Sequence, residues 1–225
     1  MRHRAGFTLI ELLVVVVIIA VLVSLLLPTL KAGRTAARIV TAHTELRGIE
    51  VALQMYSDAN AGQLPPARFS CNLRAADELP LELANEQLLP RHAKLVRNGP
   101  AGGEFLVDAV QMRDVFAPAE TYKYRAVGPA ILNETVLIEP PNGARLWVPD
   151  GFPDCTGATG QYHSDPKTSP VRYAIWSIGP DPNSPKLLDL PGRLPIPARY
   201  WCRSARDTGV VTHFQGRDGR TYMSP

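Results

Sequence analysis

From Phe7 to Leu27 the chain reads FTLIELLVVVVIIAVLVSLLL, an apolar run interrupted only by Thr8, Glu11 and Ser24. As a helix rising about 1.5 Å per residue, this run reaches roughly 31 Å, the thickness of a bilayer's hydrocarbon core. Its Val and Ile content would also suit a strand, but strands seldom pass about ten residues, and lipid demands a backbone that satisfies its own hydrogen bonds. A helix is therefore predicted. After Pro28 the pattern changes: Ile39, Ala42 or His43, Leu46, Ile49, Leu53 and Tyr56 recur at threes and fours, while Arg34, Arg38, Glu45, Arg47 and Glu50 fill other positions. That spacing predicts that the helix continues with one apolar stripe. Asn60, Gly62 and the pair Pro65-Pro66 mark its end, as a glycine cap followed by proline would. A rod from Phe7 to about Asn60 would be roughly 80 Å long, and its second half must bury the stripe against a head.

From Leu64 onward the pattern shortens to β-rich runs: Glu104 to Val107, Thr121 to Val127, Thr135 to Ile138, Leu146 to Val148, Val171 to Ile178 and Val210 to Phe214. Asn142-Gly143 and Asp218-Gly219 are predicted hairpin turns, since both dipeptides tolerate positive φ. A short helix over Ala75 to Leu89 is opposed by Pro80. The expected fold class is α+β, a long N-terminal helix packed on a small antiparallel sheet. The expected divisions are a spanning helix over 7–27, an amphipathic continuation over 28–62 and a β-rich head over 63–225.

Arg2, His3 and Arg4 precede the apolar run with no acid among them. The positive-inside rule then puts the N-terminus in the cytoplasm and the head on the far side. A core of this length exceeds the usual 7 to 15 residues of a secretory signal peptide, and no A-x-A site follows it. The 225 residues carry 24 basic and 21 acidic side chains, for a net charge of +3. That balance argues against nucleic acid as a partner, which needs a concentrated basic face. The tract Arg193, Arg199, Tyr200, Trp201, Arg203 and Arg206 could stack on single strands, but solvated loop charges are the commoner explanation. No G-x-S-x-G elbow, P-loop, H-E-x-x-H or dinucleotide fingerprint is present, so an enzyme is not expected.

Glu11 is the residue a plain anchor leaves unexplained, because an acid inside a spanning helix costs on the order of 3 kcal/mol unless paired. Gly6-Phe7-Thr8-Leu9-Ile10-Glu11, after a short basic leader and before the apolar run, resembles the processing signal of type IV pilins and type II secretion pseudopilins. The resemblance implies a pilin-like fold and a leader, residues 1–6, that prepilin peptidase removes between Gly6 and Phe7. It also implies methylation of the new Phe7 amine and pairing of Glu11 with that amine on a neighbouring subunit, pairing within one helix being the alternative. Chemistry agrees, since a carboxylate in hydrocarbon gains much from a cation, and proteolysis creates one nearby. Pro28 stands where many pilins carry a helix-kinking proline, and proline removes one intrahelical hydrogen bond.

Two head segments are similar to those of the major pseudopilin type: Tyr173-Ala174-Ile175-Trp176-Ser177-Ile178-Gly179-Pro180-Asp181, and Asp114-Val115-Phe116-Ala117-Pro118 with Tyr122-Lys123-Tyr124. Because such pseudopilins often hold calcium after that strand, Asp181, Asn183 and Asp189 are candidate calcium ligands. No other cofactor is expected. Cys71, Cys155 and Cys202 allow at most one internal bridge, with Cys155–Cys202 the preferred pair and free thiols the alternative. Cys155, His163, Cys202 and His213 have no compact zinc spacing, and His43 lacks a second ligand at i+4.

The expected function is therefore that of a structural subunit of a type II secretion pseudopilus in the bacterial inner membrane, with a periplasmic head. Expected partners are the lipid bilayer before assembly, other copies and other pseudopilins, prepilin peptidase, and the inner-membrane assembly platform with its ATPase. The alternatives are a type IV pilus subunit for adhesion, motility or DNA uptake, and a membrane-anchored periplasmic binding domain.

Overall fold

The computed structural model describes residues 9–70, 76–97, 104–133, 135–181 and 195–225. Helix α1 spans Leu9–Ala59, 51 residues, or about 76 Å at the standard rise. It passes through Pro28 without interruption, so the rod does not melt there. Hydroxyls flank the proline and cap carbonyls of the preceding turn, Ser24 Oγ to Val21 O at 2.7 Å and Thr29 Oγ1 to Leu26 O at 2.8 Å. The helix ends in a left-handed cap: Ala61 and Gly62 have φ of 54° and 83°, and the Gly62 N–H returns to Ser57 O at 2.8 Å. Glycine supplies one of these two left-handed positions, and Ala61 takes the other.

The head is built around a four-stranded antiparallel sheet in which Thr221–Met223, Val211–Gly216, Val171–Ser177 and Lys123–Ala126 lie side by side in that order. Its strands are β4 (Lys123–Ala126), β9 (Val171–Ser177), β10 (Val211–Gly216) and β11 (Thr221–Met223). The C-terminal half of α1 lies across one face. Ala42, Leu46, Ile49, Ala52 and Leu53 form a core there with Tyr122, Tyr124, Ala126, Tyr173, Ile175 and Val211. The other face packs Ala174, Trp176, Val210 and Phe214 against Leu146, Val148, Ile196 and Tyr200. Neighbouring residues of β9 thus feed opposite cores, as side-chain alternation along a strand requires.

Polar ties fix the helix to the head. Tyr122 donates its hydroxyl to Glu45, and Tyr124 donates to Pro65 O at 2.7 Å. Arg172 on β9 reaches Ser57 Oγ at 3.2 Å and the carbonyl of Gly62 at 3.0 Å, placing a cation beside the negative end of the helix.

Smaller elements complete the head. β1 (Ala67–Phe69) pairs in parallel with β5 (Ala130–Leu132), which pairs with β6 (Val136–Ile138). β2 (Arg91–Arg97) with β3 (Glu104–Val110), and β7 (Leu146–Pro149) with β8 (Gly160–His163), form two hairpins. The parallel β1–β5 pair departs from the purely antiparallel sheet expected from sequence. Of the possible short helix over Ala75 to Leu89, which Pro80 opposes, only α2 (Glu82–Asn85) forms, a single turn after that proline.

Asp218-Gly219 does close the β10–β11 hairpin. Asn142-Gly143 does not close one, because β6 pairs back with β5 instead of forward with β7. Gly143 answers a different need: a Cβ there would lie 2.1 Å from the carbonyl oxygen of Gly128, against which Ala144 forms a bridge.

Candidate functional site

The N-terminal half of α1 has no counterpart surface among the described residues. Every large apolar side chain from Leu9 to Leu27 is between 45% and 82% exposed, and the most apolar 18-residue window has mean hydropathy 3.3 with none of it buried. Each such side chain left in water forgoes about 1.5 to 3 kcal/mol of burial free energy. Summed over the segment this exceeds the whole stability of an ordinary domain, so the surface requires lipid or other apolar helices around it. Apolar character on all sides, in place of one stripe, distinguishes it from the half of the same helix that packs on the head.

Glu11 belongs to the first described turns of this segment and is its lone acid. Gly6 and Phe7, the expected cleavage and methylation positions, lie outside the described residues. Between Leu9 and Leu27 the only other polar side chain is Ser24, which spends its hydroxyl on the helix backbone. The arrangement is an oily cylinder with one acid near its N-terminal end. That combination suits lateral packing against other helices, with a single polar contact to set their register.

In the head, the structure brings together the two segments singled out in the sequence. Asp114 is fully buried, and its carboxylate accepts three hydrogen bonds. Oδ1 takes the Ser177 hydroxyl at 2.7 Å and the Phe116 N–H at 2.9 Å, while Oδ2 takes the Ile178 N–H at 2.8 Å. Burial pushes the Asp114 carboxyl above its usual range, and the donors from Phe116, Ser177 and Ile178, with the charge of Lys123, pull the other way. The Ser177 hydroxyl in turn accepts from the Gly179 N–H at 3.1 Å. Gly179 has φ of 75°, and a Cβ there would lie 1.7 Å from the Gly209 carbonyl oxygen, so only glycine fits. The Asp-x-Phe and Ser-x-Gly patterns are two halves of one buried lock that fixes the end of β9.

Beyond that lock the chain enters the expected calcium loop. Asp181 is the last described residue of the segment, and Asn183 and Asp189 lie outside the described residues. Among the described residues no cluster of three or more His, Cys, Asp or Glu side chains could hold a metal. The possible zinc set is accordingly not assembled.

Cys155 is a buried free thiol, so the expected Cys155–Cys202 bridge is not formed. The two cysteines face different cores: Cys155 packs beside Phe152 and Ile196 on one side of the sheet, whereas Cys202 joins the helix-side core. Cys202 Sγ lies 3.3 Å from the Ser204 carbonyl. Burial, with the nearby charge of Asp154, pushes the Cys155 thiol up to about 12. Cys71 is outside the described residues. Tyr200 is buried and Trp201 packs on Phe214 with ring centroids 6.1 Å apart. Those rings serve the head core and offer no stacking platform.

One cluster escaped the sequence reading. His43 on α1 and His213 on β10 are hydrogen-bonded to each other, and His213 also meets Glu50. The positions are 170 residues apart, and no spacing rule links them.

Comparison with known proteins bears on the N-terminal region. Residues 1–27 match the family model described as the prokaryotic N-terminal methylation motif. The type II secretion system core protein G of Pseudomonas aeruginosa is 40% identical over 55 residues, covering 24% of this chain and 39% of that protein. Its counterpart from Vibrio cholerae is 41% identical over 61 residues, covering 27% of this chain and 42% of that protein. The chain thus spans about two fifths of the length of these relatives. No solved structure matches it significantly. The N-terminal region carries the prokaryotic N-terminal methylation motif and is similar to the core protein G of type II secretion systems.

Proposed function

We propose that the protein is a pseudopilin, a structural subunit of a type II secretion filament. The observation that carries this reading is the apolar half of α1, exposed on every side and marked by a single acid, within the residues that match a methylation motif. Before assembly the segment lies in the inner membrane with the basic N-terminus cytoplasmic. Prepilin peptidase cuts after Gly6 and methylates Phe7. The subunit then leaves the bilayer and joins other copies and other pseudopilins, driven by the membrane platform and its ATPase. Helix contacts replace lipid contacts, so extraction loses little apolar burial, and Glu11 gains the Phe7 ammonium of a neighbour. The heads face outward, and the role is mechanical, with no catalytic step.

The test is co-expression with the secretion machinery and imaging of sheared filaments. Wild-type chain forms filaments, while Glu11→Val is trimmed at Gly6 but assembles poorly. Normal filaments from Glu11→Val would overturn the pairing argument.

A further inference from the structure

The stalk helix and the head meet at a row of groups that no packing requirement explains. His213 is fully buried. Its Nδ1 lies 2.8 Å from Glu50 Oε1, and its Nε2 lies 2.8 Å from His43 Nδ1. The two rings are 5.1 Å apart between centroids. His43 also hydrogen-bonds the backbone of Pro225, a contact that favours its charged form. With Nδ1 turned to His213, Nε2 is the nitrogen left for that contact. The row Glu50–His213–His43–Pro225 therefore joins helix α1, strand β10 and the C-terminal segment.

Counting protons shows what the row can hold. A carboxylate at one end and a backbone oxygen at the other are acceptors, so three hydrogen bonds need three protons, while two neutral imidazoles carry two. One added proton satisfies every link, and Glu50 balances its charge. A second added proton would set N–H against N–H across a 2.8 Å gap that has room for one hydrogen. We propose that this row is an acid-released latch between the stalk helix and the head, closed by one shared proton and opened when both rings are fully protonated.

The surroundings support release in acid. Burial is the largest influence on His43 and holds it below its ordinary value of 6.5, followed by the charge of His213; Arg47 adds to the depression, and only the Pro225 contact opposes it. From α1 the row faces Glu50 and Arg47. From β9 it faces Tyr173, which burial and the charge of Glu50 keep protonated, with Arg172 opposing. Arg172 itself is committed to Ser57, Gly62 and Gln215.

Linkage sets the sign. At His43 the folded chain refuses a proton that the unfolded chain accepts, so the part of the stability tied to that refusal is present above 6.5 and is lost as pH falls toward the depressed His43 value. One withheld proton corresponds to a fall of up to about tenfold in the folding equilibrium constant per pH unit.

The test is urea unfolding of the full chain in detergent micelles, followed by Trp fluorescence between pH 7.5 and 5.5, for wild type and for His43→Gln. Glutamine can bond His213 but cannot titrate. The expected result is a several-fold fall in the wild-type folding constant below pH 6.5 that is shallower in His43→Gln, where burial of His163 alone still withholds a proton; equal slopes overturn the latch. Should that variant not fold, 15N NMR of the wild-type imidazoles decides. A coupling across His43 Nδ1 and His213 Nε2 that disappears in acid supports the latch, and two rings titrating independently, with no such coupling, overturn it.

Discussion

Replacing Asp114 by Ala removes the acceptor for three donors at once: the buried Ser177 hydroxyl and the N–H groups of the half-buried Phe116 and Ile178. An unsatisfied buried donor costs about 1 to 3 kcal/mol. The Ser177 hydroxyl can rotate to a new partner and the truncation leaves room for water, so the three costs do not add in full. The expected loss is about 3 to 5 kcal/mol, a large share of a typical domain's stability. Asp114→Asn keeps an oxygen for Ser177 and Phe116 but turns an amide N–H toward Ile178, and its expected loss is about 2 kcal/mol. Urea unfolding of the full chain at pH 7, read by Trp fluorescence, measures both, and Trp176 in the adjoining strand reports on the region directly. A loss below about 1 kcal/mol for Asp114→Ala would refute the reasoning, because it would mean that the three bonds contribute nothing beyond what water supplies.

Three further outcomes are expected. Leu46→Ala, at a fully buried position of the helix stripe, destabilises the head by about 2 to 5 kcal/mol in the same assay, whereas Val51→Ala on the exposed face of the helix stays within about 0.5 kcal/mol of wild type. Gly179→Ala forces a Cβ onto the Gly209 carbonyl oxygen and lowers stability by more than Leu46→Ala does, as a shift in the thermal midpoint shows. Cys155, with its thiol pushed up to about 12, resists iodoacetamide at pH 8 in the folded chain and is alkylated on unfolding, which mass spectrometry of the modified peptide detects.

The helix was legible in the sequence because its signals are local. Length and composition set apart the exposed segment, and spacing by threes and fours picked out Ala42, Leu46, Ile49 and Leu53, all of which are buried. Six strands announced themselves by β-branched and aromatic runs. β1, β2, β5, β8 and β11 did not, because Ala67–Phe69 or Gly160–His163 are strands through their pairing partners and not through their own residues. Asn142-Gly143 misled for the same reason: a turn dipeptide says nothing about which strands its flanks will choose. The Asp114 lock could be read only as two separate patterns, since their union lies 63 to 64 residues apart in sequence. His213 gave no local sign at all, and it acquires its partners only when β10 docks on the helix.

The central claim is that the exposed apolar helix is made for assembly after trimming. Intact-mass measurement of the protein purified from membranes containing prepilin peptidase tests this most directly. The account predicts a chain that has lost residues 1–6 and begins with N-methylated Phe7. A chain that retains Met1 through Gly6 beside active peptidase would contradict it.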